Sequence, residues 1–146
     1  MKDRTFYREA FCELVQKAVE LHWLEPVPPD STKEILEVPV EIQGTTIWLI
    51  HEVSEDTFTT RVAIAGRANA LPSEALARIL QANWTLACMH MPVIGLNTEK
   101  DQLVYSLRQV ISSADPAVLV TTIEHLWKIS KRLQHVEGMV AIEEEQ

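Results

Sequence analysis

Glycine is scarce. Gly44, Gly66, Gly95 and Gly138 are the four in 146 residues, and no two lie close together. A loop that cradles phosphate on backbone N–H groups needs several glycines within a few positions, so neither a P-loop nor a dinucleotide-binding turn can be built. Cysteine is scarcer still. Cys12 and Cys88 sit in the apolar contexts Ala-Phe-Cys-Glu-Leu and Leu-Ala-Cys-Met. Two isolated thiols of this kind suit small buried hydrophobes in a reducing compartment, not a disulfide framework. No apolar run approaches the ~20 residues that span a bilayer, and Met1-Lys2-Asp3-Arg4-Thr5-Phe6 lacks the apolar core of a secretory signal. A soluble, cytoplasmic protein with no membrane partner is expected. Positive charge is also short: 13 Lys and Arg against 21 Asp and Glu leave a formal net charge of −8. Such a chain repels phosphate backbones, which makes nucleic acid a poor partner.

Catalytic signatures are missing as well. His22, His51, His90, His125 and His135 form no HExxH and no ligand pair with cysteine. Cys88 and His90 are two apart on a helix and point in different directions. No Gly-x-Ser-x-Gly elbow occurs. Glu52, Glu55 and Asp56 surround a turn, where carboxylates ordinarily face water. The expectation is a binding protein and no enzyme, with no cofactor and no metal.

What is present is apolar patterning for one domain. The hydrophobic fraction is 47% and the charged fraction 23%, enough for a packed core without staples. Residues 3–24 read as an amphipathic helix: Phe6, Ala10, Phe11, Leu14, Val15, Ala18 and Leu21 recur at three- and four-residue steps, with Arg8, Glu9, Glu13, Gln16, Lys17 and Glu20 on the other side. Pro26, Pro28 and Pro29 must lie beyond its end. Leu36, Val38, Val40 and Ile42 then alternate with Glu37, Pro39, Glu41 and Gln43, the period of a half-buried strand, and Pro39 places that strand at a sheet edge. After the turn at Gln43-Gly44-Thr45, the apolar run Thr46–His51 suggests a central strand covered on both faces. Phe58–Ala65 is a third strand, joined by short turns into an antiparallel meander.

Pro72 opens a second helix that runs to about His90, with Glu74 in its first turn. It carries two offset apolar stripes where a surface helix needs one, so burial on a second side, by a second copy of the chain, is expected. Strands over Pro92–Asn97 and Gln102–Arg108 flank a polar loop, Thr98–Asp101. Asp115-Pro116 starts a third helix with Leu119, Ile123, Leu126, Trp127 and Leu133 on its apolar face, ended by Gly138. The fold class is α+β, a mainly antiparallel five-stranded sheet with three helices in the order α-β-β-β-α-β-β-α. Residues 1–138 form a single domain and 139–146 an acidic, frayed tail.

The run Leu71-Pro72-Ser73-Glu74-Ala75-Leu76-Ala77-Arg78-Ile79-Leu80-Gln81-Ala82-Asn83-Trp84, then Met91-Pro92-Val93-Ile94-Gly95-Leu96-Asn97 and Leu103-Val104-Tyr105-Ser106, resembles the class I type III secretion effector chaperones of the Tir/CesT-like family. The resemblance covers about residues 70–136 in motif, and nearly the whole chain in element order. It departs in the proline-rich 26–30 segment and in the early strands, which match only in alternation. It implies a homodimer in the bacterial cytoplasm, involved in virulence, that binds an N-terminal segment of a secreted effector and keeps it soluble and competent for export. It assigns Leu76, Leu80, Trp84, Leu86, Met89, Val93 and Ile94 to the dimer interface, and Phe6, Leu14, Leu21, Val38 and Val40 to partner binding. An adaptor or regulatory protein-binding domain of the same fold, unrelated to secretion, is the alternative.

Overall fold

The computed structural model describes residues 5–21, 32–66, 71–88 and 93–133. The order of elements is the expected one: α1 Phe6–Leu21, β1 Ile35–Ile42, β2 Thr45–Glu52, β3 Thr57–Gly66, α2 Ser73–Cys88, β4 Val93–Asn97, β5 Gln102–Val110 and α3 Pro116–Leu133. Every strand pairing is antiparallel, and the spatial order is β1-β2-β3-β5-β4. The segments read from sequence as the proline-rich linker and the acidic tail lie outside the described residues, as does Gly138.

Local chemistry sets the joints. Gln43 and Gly44 both adopt positive φ, 46° and 80°, the two-residue hairpin turn whose twist matches that of the strands it joins. The Ile42–Thr45 pair closes this hairpin. In such a ladder hydrogen-bonded pairs alternate with open ones. The backbone N–H and C=O of Ile35, Glu37, Pro39 and Glu41 therefore face away from β2. The bond from Val53 N to Glu34 O (2.9 Å) has the parity this requires. Pro39 thus stands at an edge position, where its missing N–H takes nothing from the ladder. Asp115 caps α3 by accepting the Ala117 N–H at 2.8 Å, with Pro116 at the first helical position.

The helices α1 and α3 pack against each other and across one face of the sheet. That face presents Leu36, Val38, Val40 and Ile42 of β1, Ile47 and Leu49 of β2, Phe58, Val62 and Ile64 of β3, and Tyr105 of β5. Phe11, Leu14, Val15 and Ala18 of α1 and Leu119, Val120, Ile123 and Leu126 of α3 fill the space between. The opposite face carries no helix among the described residues. Strand β2 is central but is not covered on both sides: Trp48 and Ile50 are half-exposed on the open face. An apolar run in a central strand here reflects a sheet with one covered face and one adhesive one.

A second correction lies in α1. Arg8, read with the polar side of the helix, is 1% exposed. Its Nε donates to His51 Nδ1 at 2.9 Å, one terminal nitrogen donates to the Lys33 carbonyl, and the other donates to the carbonyls of Glu34 (3.0 Å) and His51 (3.2 Å). Because Nδ1 of His51 accepts, its proton sits on Nε2, which donates to the Glu55 carbonyl at 2.8 Å. Phe11 stacks on the imidazole with ring centres 4.8 Å apart. A buried guanidinium satisfied by carbonyl dipoles and a neutral imidazole avoids the full cost of an unpaired charge.

Replacing Arg8 by methionine leaves these acceptors dry and unpaired. Urea denaturation is expected to show a loss of about 3 kcal/mol, and a change within about 0.5 kcal/mol would mean that water replaces the guanidinium at little cost. His51 makes the same cluster pH-sensitive. Burial holds its pKa below the ordinary 6.5, the Glu55 hydrogen bond pulls upward, and the Arg8 charge adds to the depression. Between the depressed native value and 6.5 the unfolded chain takes up a proton that the native chain refuses. Stability contributed by His51 is therefore complete above pH 6.5 and declines below it. Thermal melts from pH 8 to pH 5 are expected to show that decline, and His51→Gln to flatten it.

Candidate protein-binding surfaces

Helix α2 begins where the Pro72 carbonyl accepts the Leu76 N–H at 3.1 Å, with Glu74 in the favourable first turn. Ala75 and Ile79 turn inward and are 1% and 4% exposed. Leu76 and Leu80 turn outward. Leu80 is 69% exposed, and Leu96 on β4 is 56% exposed. Together with Ile79, Ile94 and Leu103 they line an apolar groove of 390 Å³. Among the described residues β4 is the main packing partner of α2. One polar contact fixes the pair: Asn83 Oδ1 accepts the Ile94 N–H at 2.7 Å. This N–H points away from β5, so Asn83 seals the outer edge of β4 as well as anchoring the helix. Three large aliphatic side chains left in water beside a sealed strand edge form the kind of patch that soluble proteins cover with a partner.

The helix-free face of the sheet forms a second depression, an open trough of 640 Å³ that touches all five strands. Trp48, Ile50, Ala63, Leu96 and Val104 supply its apolar lining and Arg61 its central charge, with Glu37, Glu99 and Lys100 also along it. Trp48 and Arg61 stand directly opposite each other across β2 and β3. The Arg61 Nε is shielded from solvent and has no hydrogen-bond partner.

The residues assigned from sequence divide accordingly. Leu76 and Leu80 are exposed on the α2 groove and Ile94 lies in its floor, 8% exposed. The side chains of Trp84, Leu86 and Val93, and the whole of Met89, lie outside the described residues. Of those assigned to partner binding, Phe6 is 43% exposed at the start of α1, beside Tyr7. Leu14, Val38 and Val40 are corrected to core positions, at 6%, 2% and 8% exposure. They face the gap between α1 and the sheet, where no partner reaches them without opening the core. The Leu21 side chain lies outside the described residues. Leu96, Asn83, Arg61 and Trp48 were not singled out. The alternation of Ile94 with Leu96 was a usable signal for the first, and the cross-strand neighbours of the others emerge only with the register.

The reactive side chains have structural surroundings. Cys12 is half-buried, and burial pushes its thiol up, with the Arg8 charge opposing, so it stays protonated and unreactive near neutrality. Asp56 accepts the N–H and hydroxyl of Ser112 at 3.0 and 2.7 Å and holds the turn after β5. Among the described residues no three His, Cys, Asp or Glu side chains are grouped to hold a metal, and no helix is long and apolar enough to cross a membrane.

No protein-family model and no curated protein matches this sequence. Solved structures do. A chain in the structure of the HopA1–SchA chaperone–effector complex superposes with a TM-score of 0.71 at 9% identity, covering 87% of this chain and 94% of that one. A chain of the ExsC–ExsE complex gives 0.69 at 10% identity over 97% and 100%. The structure of the Yersinia pestis type III secretion chaperone SycH with a stable fragment of YscM2 gives 0.64 at 16% identity over 84% and 98%. An uncharacterized protein from Methanothermobacter thermautotrophicus gives 0.57 at 12% identity over 88% and 94%. The fold is the one found in these chains from type III secretion chaperone and chaperone–effector complexes.

The Asn83 contact has a direct test. Hydrogen exchange at the Ile94 amide is expected to be slow in the wild type and in Asn83→Asp, which keeps the acceptor, and to accelerate in Asn83→Leu. Equal exchange in all three would show that the amide is protected by something else.

Proposed function

We propose that this chain is a non-enzymatic, cytoplasmic export chaperone. It acts as a homodimer that binds an N-terminal segment of a secreted effector and keeps that segment soluble and unfolded. The observation that carries the reading is the groove of Leu76, Leu80 and Leu96 beside a helix whose main neighbour among the described residues is β4, within a fold shared with chains of chaperone complexes. A second copy that laid its own α2 against this groove would bury all three leucines, self-complementarily, as a two-fold interface requires. Each fully buried leucine contributes about 2 kcal/mol. The paired sheets would then offer a continuous surface to a disordered client, which folds onto it at the cost of ordering itself. Release requires work from outside, because the chain has no phosphate-binding loop.

A protein-binding adaptor unconnected with secretion is the second reading, since the same fold also occurs in the uncharacterized Methanothermobacter protein, which is named for no chaperone or secretion partner. Loss of effector export on deleting the gene, with normal effector synthesis, separates the two.

Dimerisation is tested by light scattering after size exclusion. The wild type is expected at twice 16.6 kDa. Leu80→Glu, a change at a position already 69% exposed in the subunit, is expected at the monomer mass with its helical content intact. A wild-type monomer at micromolar concentration would remove the dimer and leave the adaptor reading ahead.

A further inference from the structure

We infer that the helix-free face of the sheet is a docking trough for a partner's peptide segment, and that Arg61 anchors this segment through one carboxylate. The inference rests on the protein-binding reading above and specifies its chemistry.

Three observations carry it. First, the sheet offers poor edges for an added strand. On β1 the outward-facing backbone belongs to Ile35, Glu37, Pro39 and Glu41, and Pro39 removes the donor in the middle of that row. On β4 the outward Ile94 N–H is already taken by Asn83. Recognition by backbone pairing is therefore interrupted at one edge and obstructed at the other, which leaves side-chain docking on the open face. Second, that face is shaped for an extended object. Five strands at ~4.8 Å spacing make a surface about 19 Å wide, the length of about 12 helical residues. A small acid would leave most of the trough uncovered.

Third, the charge arrangement selects a single anion. Arg61 sits among Trp48, Ile50, Ala63 and Val104, its Nε shielded from water and without an acceptor. An approaching carboxylate gains a charge-assisted bond in an apolar setting, where it is worth more than in water. Lys100 is balanced by Glu37 and Glu99 along the same trough, and these carboxylates with a net charge of −8 oppose phosphates and densely acidic tracts. The matching segment carries one Asp or Glu flanked by aliphatic side chains, the latter resting on Trp48 and Ile50.

The probe is a randomised 12-residue peptide library displayed on phage, selected in parallel on the wild type and on Arg61→Glu. The resulting consensus peptides are then titrated by fluorescence anisotropy. Wild-type selection is expected to enrich one acidic residue between aliphatic ones, and selection on Arg61→Glu to place Lys or Arg there. The wild-type peptide is expected to lose at least about tenfold in affinity against Arg61→Gln, or when its carboxylate is changed to the amide. Thermal melts of both variants check that the fold is kept, and the Lys-containing peptide binding Arg61→Glu shows it independently. Enrichment without an acidic position, or affinity indifferent to Arg61, overturns the anchor and leaves the protein-binding reading standing. Failure of the folded wild type to enrich any common sequence overturns both.

Discussion

A buried guanidinium holds this fold in its arrangement. Arg8 leaves the first turns of α1 and reaches two stretches of backbone at once, the carbonyls of Lys33 and Glu34 ahead of β1 and the carbonyl of His51 near the end of β2, together with the His51 imidazole that in turn binds the Glu55 turn. Five donors in a rigid fork suit this task, and a lysine point charge would not. The contact decides more than local order. It fixes where α1 crosses the sheet, and so which face Phe11, Leu14 and Val15 can fill. Once α1 is placed, α3 packs beside it on the same face, and the other face is left for something outside the subunit.

The functional surfaces follow from that one-sidedness. A five-stranded sheet with one face filled has three remaining liabilities: the bare face and two edges. Each is handled differently here. Pro39 blunts the β1 edge by withholding a donor. Asn83 seals the β4 edge, and the helix that carries it projects Leu76 and Leu80 away from the core. The bare face keeps Trp48, Ile50 and Val104 around Arg61, whose Nε has no hydrogen-bond partner among the described residues. Edge protection is ordinary defence against aggregation. Combined with an apolar outer helix and an open face, it channels association to two defined places.

Much of this fold is legible in the sequence, because periodicity reports directly on which residues share a face. Alternation through Leu36, Val38, Val40 and Ile42 yielded β1, and Pro39 placed it at an edge. The apolar spacing of Leu119, Ile123 and Leu126 yielded the buried side of α3. What periodicity cannot report is which of two faces is covered, or by what. Trp48 and Ile50 continue an apolar run and were read as covered, because a sheet face awaiting a partner and a sheet face under a helix use the same residues. The family resemblance assigns Leu14, Val38 and Val40 to partner contact, and their apolar spacing offers no correction, because a stripe that suits a partner also suits a core. Charge and spacing place Arg8 with the polar side of α1, and the structure buries it. The acceptors that Lys33, Glu34 and His51 offer it come from two distant segments, and nothing in the helix pattern points to them.

Likeness in fold at 9 to 16% identity with three solved structures is intelligible in the same terms. The constraints that define this architecture are a pattern of apolar spacings, a turn with positive φ and a few polar contacts such as Asn83 to Ile94, and many sequences meet them. Arg61 and Trp48 are under none of these constraints. Their side chains point away from the core and toward neither α1 nor α3, so a change there alters what the open face binds without disturbing what holds the sheet together. The face that holds the fold and the face left open are opposite sides of this sheet, which lets one architecture present different surfaces to different partners.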